Sequence, residues 1–543
     1  MSRRGCSEDS EARQTLLSSS ESEEPEEVDS DGGEDILYSS QRIPSQDDQG
    51  SAPRRLTYEE AVEEAGFGVF HGLLLLVCGW ANASDAVEIL CVSFLLPTAR
   101  CDLQLSSSDM GLLTASIFLG MMVGGYLWGY LADLRGRKRV LIVSLSVNGV
   151  FGALASLAPW FWLFLLMRFI SGVGVGGSIP VIFSYFSEFL PRLRRGAMIS
   201  SLATFWMAGN ILAAGLAWWV IPASWAHVQL GPLTMQSWRV FVVLCSAPSL
   251  SSALLFSLMM PESPKFLMEA GRKKEALHVF RVMFSVNHWR SSKTFPMFGL
   301  VTSSPRSQTR VSSQASWCGR LLEMGLAPIR QIFSGPLRSR SFVLLVVFYT
   351  ISFGYYGLWM WFPELFKRTE DGGSPCANVS RAPQLLNQSS CYPPNTAVYM
   401  EGFIVAASNL PGNIFTIFVM DRVGGKTLLS CSLMVSSVSV FFIYMVQTKA
   451  GSLVLSCIFS GVSVIGWNAL DVVGTELYPT QLRSSALGFF TGVGRVAAIT
   501  GNVVFGSLVD SNCAVPILLV SALLLAGGLV ALLLPQTKQT DLS

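Results

Sequence analysis

Two stretches of this sequence carry one pattern: Gly129-Tyr-Leu-Ala-Asp133-Leu-Arg-Gly136-Arg137-Lys138 and Asp421-Arg-Val-Gly424-Gly425-Lys426. The Asp, Gly and Lys keep the same spacing in both, and each stretch lies between two long apolar runs. A second pair shares this offset: Glu188-Phe-Leu-Pro191 starts 55 residues after Asp133, and Glu476-Leu-Tyr-Pro479 starts 55 residues after Asp421. Because two independent elements recur at one offset, the chain consists of two related halves.

The composition places both halves in a membrane. Half of the 543 residues are hydrophobic and 14% are charged, against roughly a quarter charged in a soluble chain. A bilayer core needs about 20 apolar residues per helix, and lipid admits only helices or closed barrels. The sequence therefore predicts an all-α membrane protein with twelve transmembrane helices in two pseudo-symmetric six-helix halves. The expected spans are 72–96, 109–131, 139–158, 162–189, 197–221, 239–260, 341–364, 397–420, 427–447, 452–475, 484–508 and 514–534.

Basic residues predict the orientation. The segment 261–340 has thirteen basic and four acidic residues, whereas 97–108 and 222–238 hold one Arg between them. Since Lys and Arg concentrate in cytosolic loops, both termini are expected in the cytosol. We expect no cleaved leader, so the first span would serve as the insertion signal.

This topology divides the chain into five segments. They are a disordered acidic cytosolic tail (1–70), the N-terminal six-helix half (71–260), a cytosolic central loop (261–340), the C-terminal six-helix half (341–535) and a cytosolic C-terminal tail (536–543). The C-terminal half includes a luminal loop, 365–396, whose sequons at Asn378 and Asn387 predict glycosylation. Cys376 and Cys391 share this loop and are candidates for a disulfide bond.

The N-terminal tail is acidic. Residues 1–56 carry fourteen acidic and six basic side chains, too polar a composition to bury a core. Serines 18, 19, 20 and 22 precede acidic residues, so the tail is either a phosphorylated segment that binds vesicle or sorting proteins or a solvated spacer. The basic surplus elsewhere falls in short loops beside apolar helices, so nucleic-acid binding is not indicated.

The repeated elements predict a gating latch. An acid at one helix end can pair with a base in the next loop, and Glu188 with Arg195, or Glu476 with Arg483, would span a turn at proline. Such pairs can join in one state and separate in another. Alternatively they only anchor helix ends at the interface. The expected latch residues are Asp133, Arg137, Glu188, Arg195, Asp421, Glu476 and Arg483.

Ionisable residues inside the spans are candidates for proton or ion coupling, since they are costly in lipid. Asp85 and Glu88 are three residues apart on the first span, and Arg168 lies in the fourth. Arg168 could instead pair permanently with Asp85 or Glu88 and hold two helices together. Asp471 lies in the tenth span, three residues after Asn468.

The stretch from Gly129 to Arg139 resembles the signature loop of the major facilitator superfamily, and Pro261-Glu-Ser-Pro-Lys-Phe-Leu267 resembles its sugar porters. Longer stretches resemble the synaptic vesicle glycoprotein 2 family, among them Ser171-Gly-Val-Gly-Val-Gly-Gly-Ser-Ile-Pro180, Phe183-Ser-Tyr-Phe-Ser-Glu-Phe-Leu190 and Trp467-Asn-Ala-Leu-Asp-Val472. The luminal loop is much shorter here than in that family. The resemblance implies a central ligand cavity lined by Trp206, Tyr355, Tyr356, Trp467, Asn468 and Asp471, although each aromatic could serve packing alone.

Two functions follow as expectations. The first is secondary-active transport of a small organic solute by alternating access, in secretory or synaptic vesicle membranes or the plasma membrane. The second is a vesicle protein that keeps the transport fold and regulates exocytosis or trafficking through its cytosolic tail. No nucleophile–base arrangement, nucleotide-binding motif or metal-ligand spacing is present, so we expect no enzymatic activity, cofactor or metal. We expect a monomer.

Overall fold

In the computed structural model, the described residues are 55–226, 228–230, 233–289, 299–300, 329–372, 395–446, 448–478 and 480–535. They contain twelve helices that are long and apolar enough to cross a membrane, which confirms the predicted fold class. The N-terminal six are α2 (Val69–Asp102), α3 (Ser107–Arg135), α4 (Arg137–Ala155), α5 (Phe161–Ser187), α6 (Arg192–Val220) and α7 (Ser237–Met259).

The C-terminal half repeats this arrangement with two broken helices. Its first span, α10 (Arg338–Trp359), is followed by the short α11 (Phe362–Gly372), and its second consists of α12 (Thr396–Ala407) and α13 (Asn409–Val423). The remaining helices are α14 (Gly425–Met445), α15 (Lys449–Glu476), α16 (Thr480–Leu508) and α17 (Ala514–Ala531). Two-residue strands Arg55–Leu56 and Gly299–Leu300 pair in parallel, and Val228–Leu230 with Leu233–Met235 forms a hairpin.

The repeated stretches have the same backbone geometry in both halves. Gly136 separates α3 from α4 with φ +100° and ψ 150°, and Gly424 separates α13 from α14 with φ +87° and ψ 144°. Almost only glycine adopts this conformation. We call the end of the bundle that carries these two turns the basic-loop end, which we predict to be cytosolic. The other end is the opposite end, predicted luminal.

Three short helices cover the N-terminal half at the basic-loop end. They are α1 (Tyr58–Glu64), α8 (Pro264–Glu269) and α9 (Lys273–His288). Ala61 and Val62 of α1 and Phe280 of α9 are buried in one apolar cluster with α2 and α5. The expectation of a disordered tail through residue 70 is therefore wrong for residues 55–70, because an amphipathic turn of helix buries its apolar face there.

Glycines let α5 approach its neighbours closely. A Cβ atom on Gly174 would lie 2.6 Å from the backbone nitrogen of Asn148 and 2.7 Å from the backbone carbonyl oxygen of Ser144, both on α4. Backbone at such distances cannot yield without moving a helix.

We therefore expect Gly174→Ala to lower the free energy of unfolding by about 1–3 kcal/mol, because the added methyl group overpacks the α4–α5 contact. Gly129→Ala is the matched control, since a Cβ atom there meets nothing within 4 Å. Thermal unfolding of the purified protein in detergent compares the two. Equal unfolding temperatures for both variants would contradict the close-packing argument.

Candidate functional site

A small cavity of about 10 Å³ lies where the two halves meet. The N-terminal half contributes Ala86 and Leu90 from α2 and Trp206 from α6. The C-terminal half contributes Tyr355 and Tyr356 from α10. Because both halves line the cavity, a relative movement of the halves changes its access.

Three of the predicted aromatic residues, Trp206, Tyr355 and Tyr356, line this cavity, and Trp467 packs against the two tyrosines. The Tyr355 ring stacks on Trp359 at 5.5 Å between centroids, and the Trp467 ring lies 6.2 Å from Tyr355 and 5.9 Å from Tyr356. The Trp467 indole nitrogen is buried without a hydrogen-bond partner in the described part of the chain. A buried donor without a partner is costly unless something else satisfies it, and a solute is one such partner.

The two polar candidates on α15 have different surroundings. The Asn468 amide donates to the Asn413 side-chain oxygen at 2.8 Å, and the Asn413 amide donates to the Thr204 hydroxyl of α6 at 3.4 Å. These two hydrogen bonds connect α15 and α13 of the C-terminal half to α6 of the N-terminal half. Asp471 lies one turn beyond Asn468 toward the basic-loop end, and its side chain is exposed rather than part of the cavity wall.

Arg495 on α16 was missed in the sequence, although an arginine inside an apolar span is a recognisable signal. Its guanidinium carbon lies 5.8 Å from the Tyr356 ring centroid and 6.0 Å from the Phe118 ring centroid. No ion pair to Arg495 occurs among the described residues. The site therefore has a cation held on aromatic faces, a geometry that leaves its hydrogen-bond donors for another group.

The three candidate coupling residues lie in a separate network inside the N-terminal half, and all are fully buried. Arg168 donates to Glu88, which also accepts from the Ser171 hydroxyl at 2.8 Å. The sequence left Asp85 and Glu88 as alternative partners of Arg168, and in the structure the partner is Glu88.

Asp85 lies in the same network without a cation. It accepts from the Ser178 hydroxyl at 2.6 Å and from the Asn148 amide at 3.4 Å. Asn148 also donates to Ser249 of α7 at 2.9 Å. No basic side chain within the described ranges forms an ion pair with Asp85, so hydrogen bonds alone hold this buried carboxyl group.

The predicted latch pairs differ from those in the structure. Glu188 pairs with Arg137 at 3.3 Å, and Arg137 pairs with Asp133 at 3.3 Å. The expected Glu188–Arg195 pair is wrong, because Arg195 lies 3.5 Å from the Glu59 carboxylate instead. None of these contacts involves the C-terminal half. Of the second-half residues, Glu476 is exposed, and the side chains of Asp421 and Arg483 lie outside the described residues.

Among the latch residues whose side chains the structure describes, Glu188 is the most enclosed. Its second carboxylate oxygen accepts from the Ser263 hydroxyl at 2.5 Å. Burial raises the pKa of Glu188 above its usual value, while Arg137 and Ser263 oppose that rise. The Pro261–Leu267 stretch thus folds back onto the signature loop: Glu262 accepts from the Lys138 backbone nitrogen at 2.9 Å.

A charged contact between the halves, for which the sequence carries no local signal, closes the opposite end. Arg100 of α2 donates to Glu364 of α11 at 2.8 Å. Arg368 of α11 donates to Glu364 at 3.1 Å and to the Ser107 hydroxyl of α3 at 3.1 Å. Lys367 donates to the Pro97 carbonyl oxygen at 2.9 Å. Helix α11 therefore bridges both halves.

Asp510 completes this contact. Arg368 donates to it at 2.8 Å. Burial would raise the pKa of Asp510, but hydrogen bonds from Ser107 and Arg368 lower it below its usual value. The Arg368–Asp510 pair is therefore expected to persist on mild acidification, since stability from a lowered pKa is lost only as the pH falls through that pKa.

Cys101 and Cys513, at the same end, are each in a disulfide bond, which the sequence analysis did not predict. The predicted glycosylation sites Asn378 and Asn387 and the candidate disulfide cysteines Cys376 and Cys391 lie outside the described residues.

Known proteins match this fold and sequence. Residues 75–387 match the Major Facilitator Superfamily model, and residues 382–543 match the Sugar (and other) transporter model. The partially occluded inward-open structure of the xylose transporter XylE from E. coli shares the fold, with a TM-score of 0.63 and 17% identity over 87% of this chain and 100% of that chain.

The sequence relatives are closer. Synaptic vesicle glycoprotein 2C of Rattus norvegicus is 33% identical over 89% of this chain and 80% of its own length. Synaptic vesicle glycoprotein 2B of Mus musculus is 32% identical over 89% of this chain and 86% of its own length. Matches at this identity and coverage confirm the resemblance seen in the motifs: the chain is a multi-pass membrane protein that belongs to the synaptic vesicle glycoprotein 2 family of the major facilitator superfamily.

Proposed function

We propose that this protein is a secondary-active transporter that moves a small organic solute by alternating access in secretory or synaptic vesicle membranes. The observation that carries the proposal is the cavity between the halves, which is lined by both of them. The Arg100–Glu364 ion pair and hydrogen bonds from Lys367 and Arg368 join the halves at the opposite end, while no ion pair described at the basic-loop end joins them. This asymmetry is what one state of an alternating-access cycle requires.

The side chains that line the cavity, together with those that pack against its tyrosines, support a planar solute with an anionic group. Tyr355, Tyr356 and Trp467 offer aromatic faces, and Arg495 adds a cation beside them. An anion there would gain charge-assisted hydrogen bonds from the guanidinium group. Asp85 supports coupling to a proton gradient, because it is a buried carboxyl group linked by hydrogen bonds to α4 and α5.

Solute binding is expected to raise the unfolding temperature of the purified protein. Aromatic carboxylates, aromatic amines, hexoses and nucleosides are the probes, each tested at two pH values. A solute at a hundred times its Kd stabilises by about 2.7 kcal/mol. We expect carboxylates to act, Trp467→Ala to abolish the shift, and Asp85→Asn to remove its pH dependence.

Trp162→Ala is the matched control, because this tryptophan is exposed at the start of α5 and its described ring contact is with Phe161, outside the aromatic cluster. It should leave the solute-induced shift unchanged. If no probe stabilises the protein while all variants fold normally, the transport proposal loses its support.

The second candidate is a vesicle protein that regulates exocytosis or trafficking through its N-terminal tail. One observation favours it: the acidic tail leads directly into α1, which packs on the transport fold at the basic-loop end. Phosphorylation or a tail-binding vesicle protein could therefore act on the helices without any transported solute. Loss of secretion after removal of residues 1–54, with solute binding intact, would favour this candidate.

A further inference from the structure

The segment from Thr57 to Gly68, here called the strap, joins the N-terminal tail to α2. Thr57 caps α1, and the Glu60 carboxylate accepts from the Thr57 backbone nitrogen at 2.8 Å. Ala61 and Ala65 are fully buried. The strap is therefore a folded element rather than a linker.

The strap is fastened to α9. Asn287 donates to the carbonyl oxygens of Gly66 at 2.8 Å and Ala65 at 3.2 Å, and it accepts from the Phe70 backbone nitrogen at 3.0 Å. Gly66 has φ +71°, and a Cβ atom there would lie 2.5 Å from the His288 ring. One asparagine thus fixes the angle at which the strap enters the membrane helix.

Side chains of the strap and of the start of α2 form hydrogen bonds with backbone carbonyl groups of the α5–α6 junction. The Tyr58 hydroxyl donates to the Glu188 carbonyl oxygen, and the Tyr58 ring lies 6.3 Å from Phe280 of α9. The His71 ring nitrogen lies 3.0 Å from the Phe189 carbonyl oxygen. This junction is the repeated element from which we predicted a latch.

The strap also contacts the basic side chains of this junction. The Glu59 carboxylate lies 3.4 Å from Arg192 and 3.5 Å from Arg195. The Arg194 guanidinium carbon lies 4.4 Å from the centroid of the Phe67 ring. Three arginines at the start of α6 therefore face the strap, and Leu193 between them is almost fully exposed.

We propose that the strap is a regulatory clamp, in which Glu59 holds Arg192 and Arg195 while the basic-loop end is open and releases them when that end closes. The proposal rests on the alternating-access function proposed above. Both arginines lie at the start of α6, the helix that contacts the C-terminal half through the hydrogen bond from Asn413 to Thr204, so closure of the basic-loop end brings them toward that half. A carboxylate that binds them only in the open state favours that state by its differential affinity.

The clamp is connected to the N-terminal tail, which gives it a regulatory input. The strap follows directly on a tail with eight more acidic than basic residues up to residue 56. A protein that pulls on this tail, or binds it close to α1, would loosen Glu59 from its arginines. Closure of the basic-loop end would then become easier.

The test is a distance measurement across the basic-loop end in the full-length protein. Spin labels at Leu193→Cys and Arg422→Cys, both exposed and on opposite halves, report opening in a background whose free cysteines are replaced. Glu59→Gln is expected to raise the short-distance population about two- to fivefold, the range for exposed ion pairs. Tyr58→Phe should act in the same direction.

Glu63→Gln is the matched control, because Glu63 is on the exposed face of the same helix. It should leave the distances unchanged. The clamp is overturned if Glu59→Gln matches this control while Glu364→Gln, which weakens the closed opposite end, still shifts the distances. If the labels show one fixed distance in every variant, including Glu364→Gln, the clamp and the transport cycle are both overturned.

Discussion

Glu364→Gln is expected to open the end of the bundle that is closed in this structure. Glu364 is 1% exposed and receives hydrogen bonds from Arg100 of the N-terminal half and from Arg368 on its own helix. Glutamine keeps the shape but removes the charge. The closed state therefore loses a charge-assisted contact between the halves, which the open state does not have.

The expected size follows from the burial of this contact. Hydrogen bonds to charged groups contribute roughly 1.5–3 kcal/mol, and the 30% exposure of Arg100 favours the lower end of that range. A loss of about 1.5 kcal/mol shifts a two-state equilibrium roughly tenfold. Spin labels at Ser108→Cys and Ser511→Cys, exposed on opposite halves at this end, would show a new population at longer distance.

Glu370→Gln is the control on the same helix. Glu370 pairs with Lys449 at 2.7 Å, and both residues belong to the C-terminal half. Rigid-body opening does not separate them, so this variant should leave the distances unchanged. Equal effects of the two substitutions would show that α11 responds to any loss of charge, and that the Arg100–Glu364 contact is not a gate.

Arg168→Gln is expected to cause the largest loss of stability. Arg168 and Glu88 are both fully buried and pair with each other. Removal of one partner leaves a buried charge without compensation, which costs about 3–5 kcal/mol. Thermal unfolding in detergent should show a correspondingly lower unfolding temperature, and Glu88→Gln should act in the same direction.

The double variant Glu88→Gln with Arg168→Gln separates pairing from packing. Because neither charge remains, we expect it to recover most of the stability that each single variant loses. Arg272→Gln is the control for arginine removal, since the Arg272–Glu275 pair is exposed and should show no measurable change. Strictly additive losses in the double variant would argue that the two residues stabilise the helices independently.

The sequence was most informative where a single physical requirement acts over many residues. Twelve apolar runs predicted twelve spans, because lipid leaves the backbone no other way to satisfy its hydrogen bonds. The offset between Asp133 and Asp421 predicted two halves, and the turns at Gly136 and Gly424 share their conformation. Family membership followed from the same stretches.

The sequence was less informative about which charges pair. Glu188 and Arg195 are seven residues apart, which suggested a local pair. In the structure Arg195 pairs instead with Glu59, which lies far earlier in the chain. Arg100 and Glu364 have no local signal at all, since 264 residues separate them. Arg495 carries a recognisable signal, a charge inside an apolar span, but its aromatic partners are set by the fold.

The sequence alone therefore determined the class, the twelve spans and the repeat of this protein, because each depends on hydropathy and spacing along one chain. It also identified Asp85, Glu88 and Arg168 as coupling candidates, since an ionisable residue in lipid is conspicuous by itself. Only the tertiary structure decided that Arg168 takes Glu88, that Asp85 has no cation beside it, and that α11 closes the opposite end. These outcomes depend on which helix faces bring two groups within about 3 Å, a distance that the folded arrangement of helices sets and the spacing along the chain does not.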